Sequence, residues 1–378
     1  MFENLSYLAL QQYWYVIVSL LGAILVFLMF VQGGQTLIYR IGKSETERTI
    51  LINTLGRKWE FTFSTLVTFG GAFFASFPLF YATSFGGAYW VWMIILFAFV
   101  IQAVSYEFRS KASNFLGKKT YEAFLIINGL LGTLLIGTAV ATFFSGSQFS
   151  LNEMNNVSWE VSSRGLEAAL NPFNLALGLT VFFLARVLGL LYFMKTIDHE
   201  VIIARVKKAL LVNAIPFLVF FLTFSIWLML RDGYAVDPES GNVTMEAFKY
   251  FHNLVSMPIV LIMFLLGVLL VLFGIIWPLV KKSSNGIWYS GAGTILVVMS
   301  LFFLAGFNNT SFYPSNYDLQ SSLTIQNSSS SHYTLIAMSY VSLMIPFVIA
   351  YIVYAWRAIS KKKIDEAEVT AKDDTHIY

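Results

Sequence analysis

Three ionisable side chains fall in or beside strongly apolar stretches of the sequence. Glu60 follows Trp59 at the start of one stretch, Glu107 ends the next, and Arg186 lies well inside a later one. A charge at the centre of a membrane helix costs about 2.5–3.5 kcal/mol on insertion scales, so such residues usually have a partner or a function. These positions are therefore where chemistry is expected first.

Glu60 has two interpretations. An acid in the first turn of a helix is stabilised by a few tenths to about 1 kcal/mol through the helix dipole, which would make Glu60 a helix-capping residue. A carboxylate at a membrane boundary can also take up and release protons, which would make Glu60 a proton relay. Trp59, directly before it, is a further contact residue of such a site.

Glu107 and Arg186 are expected to have ionic partners. Glu107 lies close to Arg109 and Lys111, and we expect an ion pair with one of them at the membrane interface. Arg186 precedes Lys195 by nine residues, about 13 Å along a helix, which is too deep for its side chain to reach water easily. Its partner is either an interhelical or intersubunit acid, or an anion such as a cofactor propionate or a quinone carbonyl on a neighbouring subunit.

Other chemistry is excluded by what the sequence lacks. The chain has no Cys, which removes disulfides, cysteine nucleophiles and thiolate-ligated clusters. Its four histidines, His199, His252, His332 and His376, all fall outside the middle of apolar stretches, so an axial haem ligand is not expected here. No zinc-ligand spacing, phosphate loop or dinucleotide fingerprint occurs, and no metal or nucleic-acid partner is expected.

The composition is that of a membrane protein. Hydrophobic residues make up 57% of the 378 residues and charged residues 12%, against roughly 25% charged in soluble domains. A span needs about 20 apolar residues. We expect one all-α transmembrane domain over residues 1–378 with nine spans, at roughly 13–38, 61–82, 88–106, 121–144, 172–194, 209–230, 254–280, 286–306 and 334–356.

The direction of the chain follows from its basic residues. Twenty of the 24 Lys and Arg fall in the connections after spans 1, 3, 5 and 7 and in the C-terminal tail. The opposite side has Arg164, Arg231 and Lys249 together with nine acids. The positive-inside rule then places the N-terminus outside and the C-terminus in the cytoplasm.

Several short motifs, in order along the chain, carry a family resemblance. They are residues 47–60 with the Trp59–Glu60 pair, the Phe- and Gly-rich 69–82, Tyr106 to Lys111, 170–173 at the start of span 5, and the closing 375–378. Together they resemble subunit II of cytochrome bd quinol oxidase, and the resemblance covers essentially the whole chain.

The resemblance implies a role within a complex. The partner would be the homologous subunit I, which carries the quinol site and the b- and d-type haems, so this chain would hold no cofactor itself. The complex would oxidise quinol and reduce O₂ to water in the bacterial inner membrane, electrogenically but without pumping. Glu60 falls where better-known members have an Asp on the cytoplasmic proton route. A small single-span accessory subunit and a bound lipid or quinone are further expected partners.

Three features depart from the family pattern. Residues 30–35 lack the acid that the family commonly has after span 1, and 61–65 replace a polar run that often follows the Trp–Asp pair. Arg186 has no counterpart. Two other functions stay open from the residues alone: a stand-alone secondary transporter, and a purely structural subunit in which Glu60 only caps a helix.

Overall fold

The first apolar segment forms a helix that is broken once. In the computed structural model, which describes residues 2–111, 113–281 and 283–370, α1 spans Tyr7–Leu28 and α2 spans Phe30–Gln35. Ser6 caps α1 by accepting a hydrogen bond from the backbone N–H of Ala9 at 3.2 Å. The break at Met29 lies just before the point where α2 packs closely against a later helix.

Within the described residues, seven helical segments are long and apolar enough to cross a membrane, and each overlaps one of the predicted spans. They are Tyr7–Gln35 (α1 with α2), Tyr89–Phe108 (α7), Lys118–Ser145 (α8), Pro172–Thr196 (α9), Glu200–Leu230 (α10), Pro258–Val280 (α12) and Gly286–Gly306 (α13). An eighth consists of α15 (His332–Ser342) and α16 (Ile345–Ile359), bent by 42° at the break between them.

The predicted span at 61–82 has a different form. It consists of α5 (Trp59–Ser76), α6 (Pro78–Tyr81) and a π-helical turn over Ala82–Gly87. Pro78 ends α5 because proline has no N–H to continue the helix and disfavours helical geometry in the residue before it. Five Ser, Thr and Glu side chains in the first ten residues lower the hydropathy of α5, and it is not among the seven apolar spans.

Short helices cover the ends of the bundle. On the face that holds most of the basic residues, which we call the basic face, lie α3 (Ile38–Ile41), α4 (Glu45–Gly56) and α17 (Glu366–Thr370). A capping box starts α4: Ser44 accepts from the backbone N–H of Glu47, whose carboxylate accepts from the N–H of Ser44. On the opposite face lie α11 (Lys249–Ser256) and α14 (Ile325–Ser328).

The loops opposite the basic face add two small hairpins to the all-α architecture. β1 (Phe149–Leu151) pairs antiparallel with β2 (Val157–Trp159), and β3 (Gly233–Val236) with β4 (Val243–Glu246). Single bridges Ser147–Ser315 and Ala235–Thr310 join both hairpins to the loop after α13. The three loops that carry these contacts therefore form one cap on this face.

Small residues set how closely the core helices pack. A Cβ added at Gly33 would lie 2.0 Å from the backbone of Ala185, so α2 and α9 touch backbone to backbone. Gly137 and Gly178 allow the same approach between α8 and α9. By contrast, α16 buries none of its side chains within this chain.

Candidate functional site

Glu60 lies on the wall of a long groove at the basic face. The groove runs between α1, α5, α7 and α16, and Arg57, Glu60, Glu107 and Lys111 line its charged end. The side chain of Glu60 is exposed and stands in the first turn of α5, where the helix dipole favours an anion. Among the described residues no ion-pair partner faces it, so its carboxylate is open to the groove.

The exposed face of α5 continues from Glu60 as a mixed stripe, in which small and polar residues alternate with the apolar Val67 and Phe74. Ser64, Thr68 and Gly71 follow at helical spacing and are all exposed, and nothing in the chain lies within 4 Å of a Cβ added at Gly71. The Thr68 hydroxyl is satisfied within the helix, where it donates to the Ser64 carbonyl at 2.7 Å, but the Glu60 carboxylate would have no such partner in lipid. Small residues on a membrane helix are instead typical of a surface that packs closely on another helix.

Trp59 connects α5 to α7. Its ring stacks on Tyr106 with centroids 5.8 Å apart and 15° between the planes. Its indole Nε1 is buried and has no hydrogen-bond partner among residues 2–111, 113–281 and 283–370. Tyr106 also lines the groove, so the two rings form the wall between the groove and the interior of the bundle.

Lys58, directly before Trp59, holds the end of α16. Its ammonium lies 4.3 Å from the ring centroid of Trp356 and donates to the Trp356 carbonyl at 3.4 Å. The side chain is fully buried, and loss of hydration together with the nearby Arg57 charge lowers its pKa to about 8. Trp356 itself contacts the rings of Phe30, Phe61, Tyr192 and Trp288. Sequence reasoning missed this lysine.

The expected pair between Glu107 and Arg109 is not formed. Residues two apart on a helix point in nearly opposite directions. Glu107 faces outward and pairs with Lys111, one turn later, which is the other partner that the sequence offered. Arg109 points inward instead and is fully buried.

Arg109 pairs with Glu122, an acid that sequence reasoning missed. One oxygen of Glu122 accepts from Nη2 and Nε of Arg109 at 2.7 and 3.1 Å. The other oxygen accepts from the Tyr39 hydroxyl at 2.6 Å and lies 3.4 Å from Nε of Arg48. The sequence did hold a signal, because Glu122 falls inside the predicted span 121–144 and a buried acid there needs cations.

Arg186 lies away from the groove, on α9. Between Phe173 and Met194 the less buried residues of that helix are Leu175, Leu179, Phe182, Phe183 and Arg186, which form one outward stripe. The guanidinium lies 5.3 Å from the ring centroid of Phe182 and 6.0 Å from that of Phe183. Its Nε is buried without a hydrogen-bond partner in the described part of the chain. The ion-pair partner that the sequence led us to expect is not among those residues.

A metal centre does not emerge from the side chains. Within the described ranges, no group of three or more His, Asp or Glu is placed to hold a metal ion. His199 caps α10, His252 in α11 contacts Glu246 at the end of β4, and His332 begins α15. His376 lies outside the described residues.

Replacing Lys58 by Met should stabilise the complex at pH 7. The folded protein holds the Lys58 proton less tightly than the unfolded chain, so wild-type stability should rise between pH about 8 and 10.5 as the buried amine loses its charge. In Lys58→Met that rise should be reduced, measured as the thermal midpoint at several pH values. A variant less stable than wild type at pH 7 would show that the charge is a net stabilising contact.

Replacing Glu122 by Gln should destabilise the complex strongly. It leaves Arg109 buried without its counter-ion, which typically costs about 3–5 kcal/mol. The matched control is Glu107→Gln, the same substitution at a carboxylate whose ion pair with Lys111 is exposed, and it should cost less than about 1 kcal/mol. Both are measured as thermal stability and yield of the assembled complex. Equal stability of the two variants would contradict the role given to Glu122.

Comparison with known proteins gives a consistent result. Residues 10–359 match the family described as "Cytochrome bd terminal oxidase subunit II". The chain is 29% identical to "Probable cytochrome oxidase subunit 2" of Haemophilus influenzae, covering 91% of this chain and 90% of that protein. It is 27% identical to "Cytochrome bd-I ubiquinol oxidase subunit 2" of Escherichia coli, covering 87% and 88%.

Two further relatives extend the comparison. "Cytochrome bd ubiquinol oxidase subunit 2" of Bacillus subtilis is 27% identical, over 94% of this chain and 97% of that protein. A chain of the solved bd oxidase from Geobacillus thermodenitrificans has the same fold, with a TM-score of 0.61 at 16% identity, over 94% of this chain and all of that one. With the sequence match over residues 10–359, the chain belongs to the cytochrome bd terminal oxidase subunit II family.

Proposed function

We propose that this chain is the haem-free subunit II of a cytochrome bd-type quinol oxidase, and that it scaffolds subunit I and contributes Glu60 to the cytoplasmic proton route. The match over residues 10–359 carries the assignment to the oxidase. As a member of this family the chain is a multi-pass protein of the bacterial inner membrane, and it is catalytic only within the complex. A stand-alone transporter is not favoured.

The division of labour follows from the side chains. The haems of subunit I supply the electron chemistry, in which quinol is oxidised and O₂ is reduced to water. The histidines of this chain that the structure describes lie at helix ends or in a short loop helix, where they offer no axial ligand within a span. What this chain offers is surface for its partner and carboxylates at the basic face.

The partner surface that we propose includes the outward faces of α5 and α7. On α5 it is the stripe from Glu60 through Ser64 and Thr68 to Gly71. On α7 the exposed Met93, Leu96, Val100 and Val104 repeat at helical spacing and end at Glu107. Docking of subunit I on these faces would place Glu60 at the boundary between the two subunits.

At that boundary Glu60 can exchange protons with water in the groove. Its carboxylate oxygen receives a proton at the cytoplasmic end, and the hydroxyls of Ser64 and Thr68 continue the polar surface along α5 toward the membrane interior. Asp in better-known members and Glu here carry the same titratable group, so the change of residue conserves the role. Trp59 supports it by holding α5 against Tyr106.

The topology belongs to the same proposal. We place nine spans in one transmembrane domain, with α5 and α6 as the second span and the bent α15–α16 pair as the ninth. The N-terminus then lies outside, which agrees with 20 of 24 basic residues on the cytoplasmic side. Contact with subunit I would compensate for the polar side chains of α5.

For Arg186 we propose contact with an anionic or polar group from outside this chain. The guanidinium lies on the outward stripe of α9 and has only ring contacts within the described residues. Its partner is a neighbouring subunit, such as a small single-span accessory chain, or a bound lipid or quinone. A cation at this depth would otherwise lack a counter-ion.

Glu60→Gln should lower quinol-dependent O₂ consumption while leaving the haem content intact. The change removes the titratable group and conserves the volume, so proton delivery is affected and assembly is not. Glu60→Asp should retain activity. The matched control is Glu107→Gln, an exposed carboxylate on the same groove that is already paired with Lys111. Unchanged turnover in Glu60→Gln would support the capping role instead.

Arg186→Leu should weaken assembly of the complex or shift the haem spectrum, because its external partner loses its counter-ion. The control is Lys208→Leu, an exposed basic residue near the start of α10, which should have neither effect. Yield of the complex and its absorbance spectrum provide the measurement. Wild-type yield and spectrum in Arg186→Leu would show that Arg186 needs no external partner.

A further inference from the structure

Four amide side chains are buried together beneath the wall of the groove. Gln32 and Gln35 lie on α2, Gln102 on α7 and Asn128 on α8, and the relative exposure of Gln32, Gln35, Gln102 and Asn128 is 0%. They lie on the inner side of Tyr106, one to two helical turns deeper than the Glu122–Arg109 pair. Glu122 and Asn128, both on α8, are about 9 Å apart along that helix.

Three hydrogen bonds connect part of this cluster. Nε2 of Gln32 donates to Oε1 of Gln102 at 2.7 Å, and Nε2 of Gln35 donates to the same oxygen at 3.1 Å. Nε2 of Gln35 also donates to the Tyr106 hydroxyl at 3.0 Å. The three glutamines and the tyrosine therefore form one network between α2 and α7.

The network leaves polar atoms unsatisfied. Oε1 of Gln32, Oε1 of Gln35, Nε2 of Gln102 and both amide atoms of Asn128 have no hydrogen-bond partner among the described residues. Reversing the orientation of all three glutamine amides does not satisfy these atoms. Each bond would then run in the opposite direction, and one atom of each glutamine would still be unpaired.

Unpaired amides at this position need a ligand. Leaving one buried polar atom unsatisfied costs about 1–3 kcal/mol, and surrounding lipid offers no alternative partner. The unpaired atoms include both donors and acceptors, and they are uncharged, which favours a small neutral molecule that can both donate and accept. Buried water, which typically makes about three hydrogen bonds, has this chemistry.

The surroundings favour a molecule of that size. A Cβ at Gly129, next to Asn128, would lie 2.4 Å from the backbone carbonyl oxygen of Gln32, so α2 and α8 are in close contact there. A Cβ at Gly132 would lie 3.3 Å from the ring of Phe99 and 3.5 Å from Nδ2 of Asn128. The close approach of α2 and α8 favours water over a larger ligand.

We propose that Gln32, Gln35, Gln102 and Asn128 bind a cluster of water molecules inside this subunit. The waters extend the hydrogen-bond network from Tyr106, at the wall of the groove, as far as the Asn128 amide. The cluster stabilises the junction of α2, α7 and α8, whose amides would otherwise be unsatisfied. This inference does not depend on the proton role of Glu60 and can fail or hold independently of it.

Radiolytic footprinting of the purified complex tests the water cluster. Hydroxyl radicals formed from bound water oxidise side chains beside it, even when those side chains are closed to bulk solvent. Phe99 and the Asn128 amide both lie against Gly132, and Phe73, equally buried at 0% exposure but surrounded by the rings of Phe69, Phe77 and Phe80, is the internal control. We expect oxidation of Phe99 and none of Phe73, measured by mass spectrometry.

The variant that removes the amides is Gln32→Met, Gln35→Met and Gln102→Met together, which keeps the volume close to that of glutamine. Oxidation of Phe99 should fall to the level of Phe73. Equal oxidation of Phe99 and Phe73 in the wild-type complex would overturn the proposal, as would undiminished oxidation of Phe99 in the triple variant. If the triple variant does not assemble, the wild-type comparison decides alone.

Discussion

The hydrocarbon core of a membrane offers no hydrogen-bond partner, so each polar group in a span must be satisfied by the protein or by what the protein binds. In this chain some of these polar groups pair with each other inside the bundle, and others face outward. Glu122 and Arg109 pair with each other inside the bundle, and the Glu122 carboxylate has Tyr39 and Arg48 as further partners. The polar stripe that starts at Glu60 and the cation of Arg186 face outward instead. Polar groups that face outward at membrane depth indicate that another subunit or a bound molecule contacts this chain.

A few contacts position α16, which forms one wall of the groove. The last helix, α16, buries no side chain of its own within this chain, and its Trp356 packs among rings from four other segments. Lys58 lies at the carbonyl end of α16, where the helix dipole offsets only part of the cost of burying its charge. The wall of the groove that faces Glu60 therefore depends on a few contacts at the basic face.

Much of the fold was predictable because hydropathy alone sets the length of a membrane helix. The predicted span 286–306 coincides with α13, and 172–194 lies within α9. Glu60 was identified from its place at the start of an apolar stretch, and the structure places it on the groove. The second span was harder to predict from hydropathy, because α5 has polar side chains on its exposed face. Those side chains are explained only when a partner subunit covers them.

The missed residues share a physical cause. Whether Glu107 or Arg109 turns inward depends on the rotation of α7, which packing against α8 decides and which local sequence does not specify. Glu122 was hidden inside an otherwise apolar span, and its cations come from α4 and α7. The burial of Lys58 depends on Trp356, almost 300 residues later. Contacts between distant segments were not available from a single sequence.

As a haem-free subunit, this chain should purify together with a haem-bearing partner. The most direct measurement is the absorbance spectrum of the complex purified through a tag on this chain, together with its polypeptide composition. We expect b- and d-type haem bands and a second, haem-bearing polypeptide. A colourless preparation that contains this chain alone and moves a solute across the membrane would contradict it.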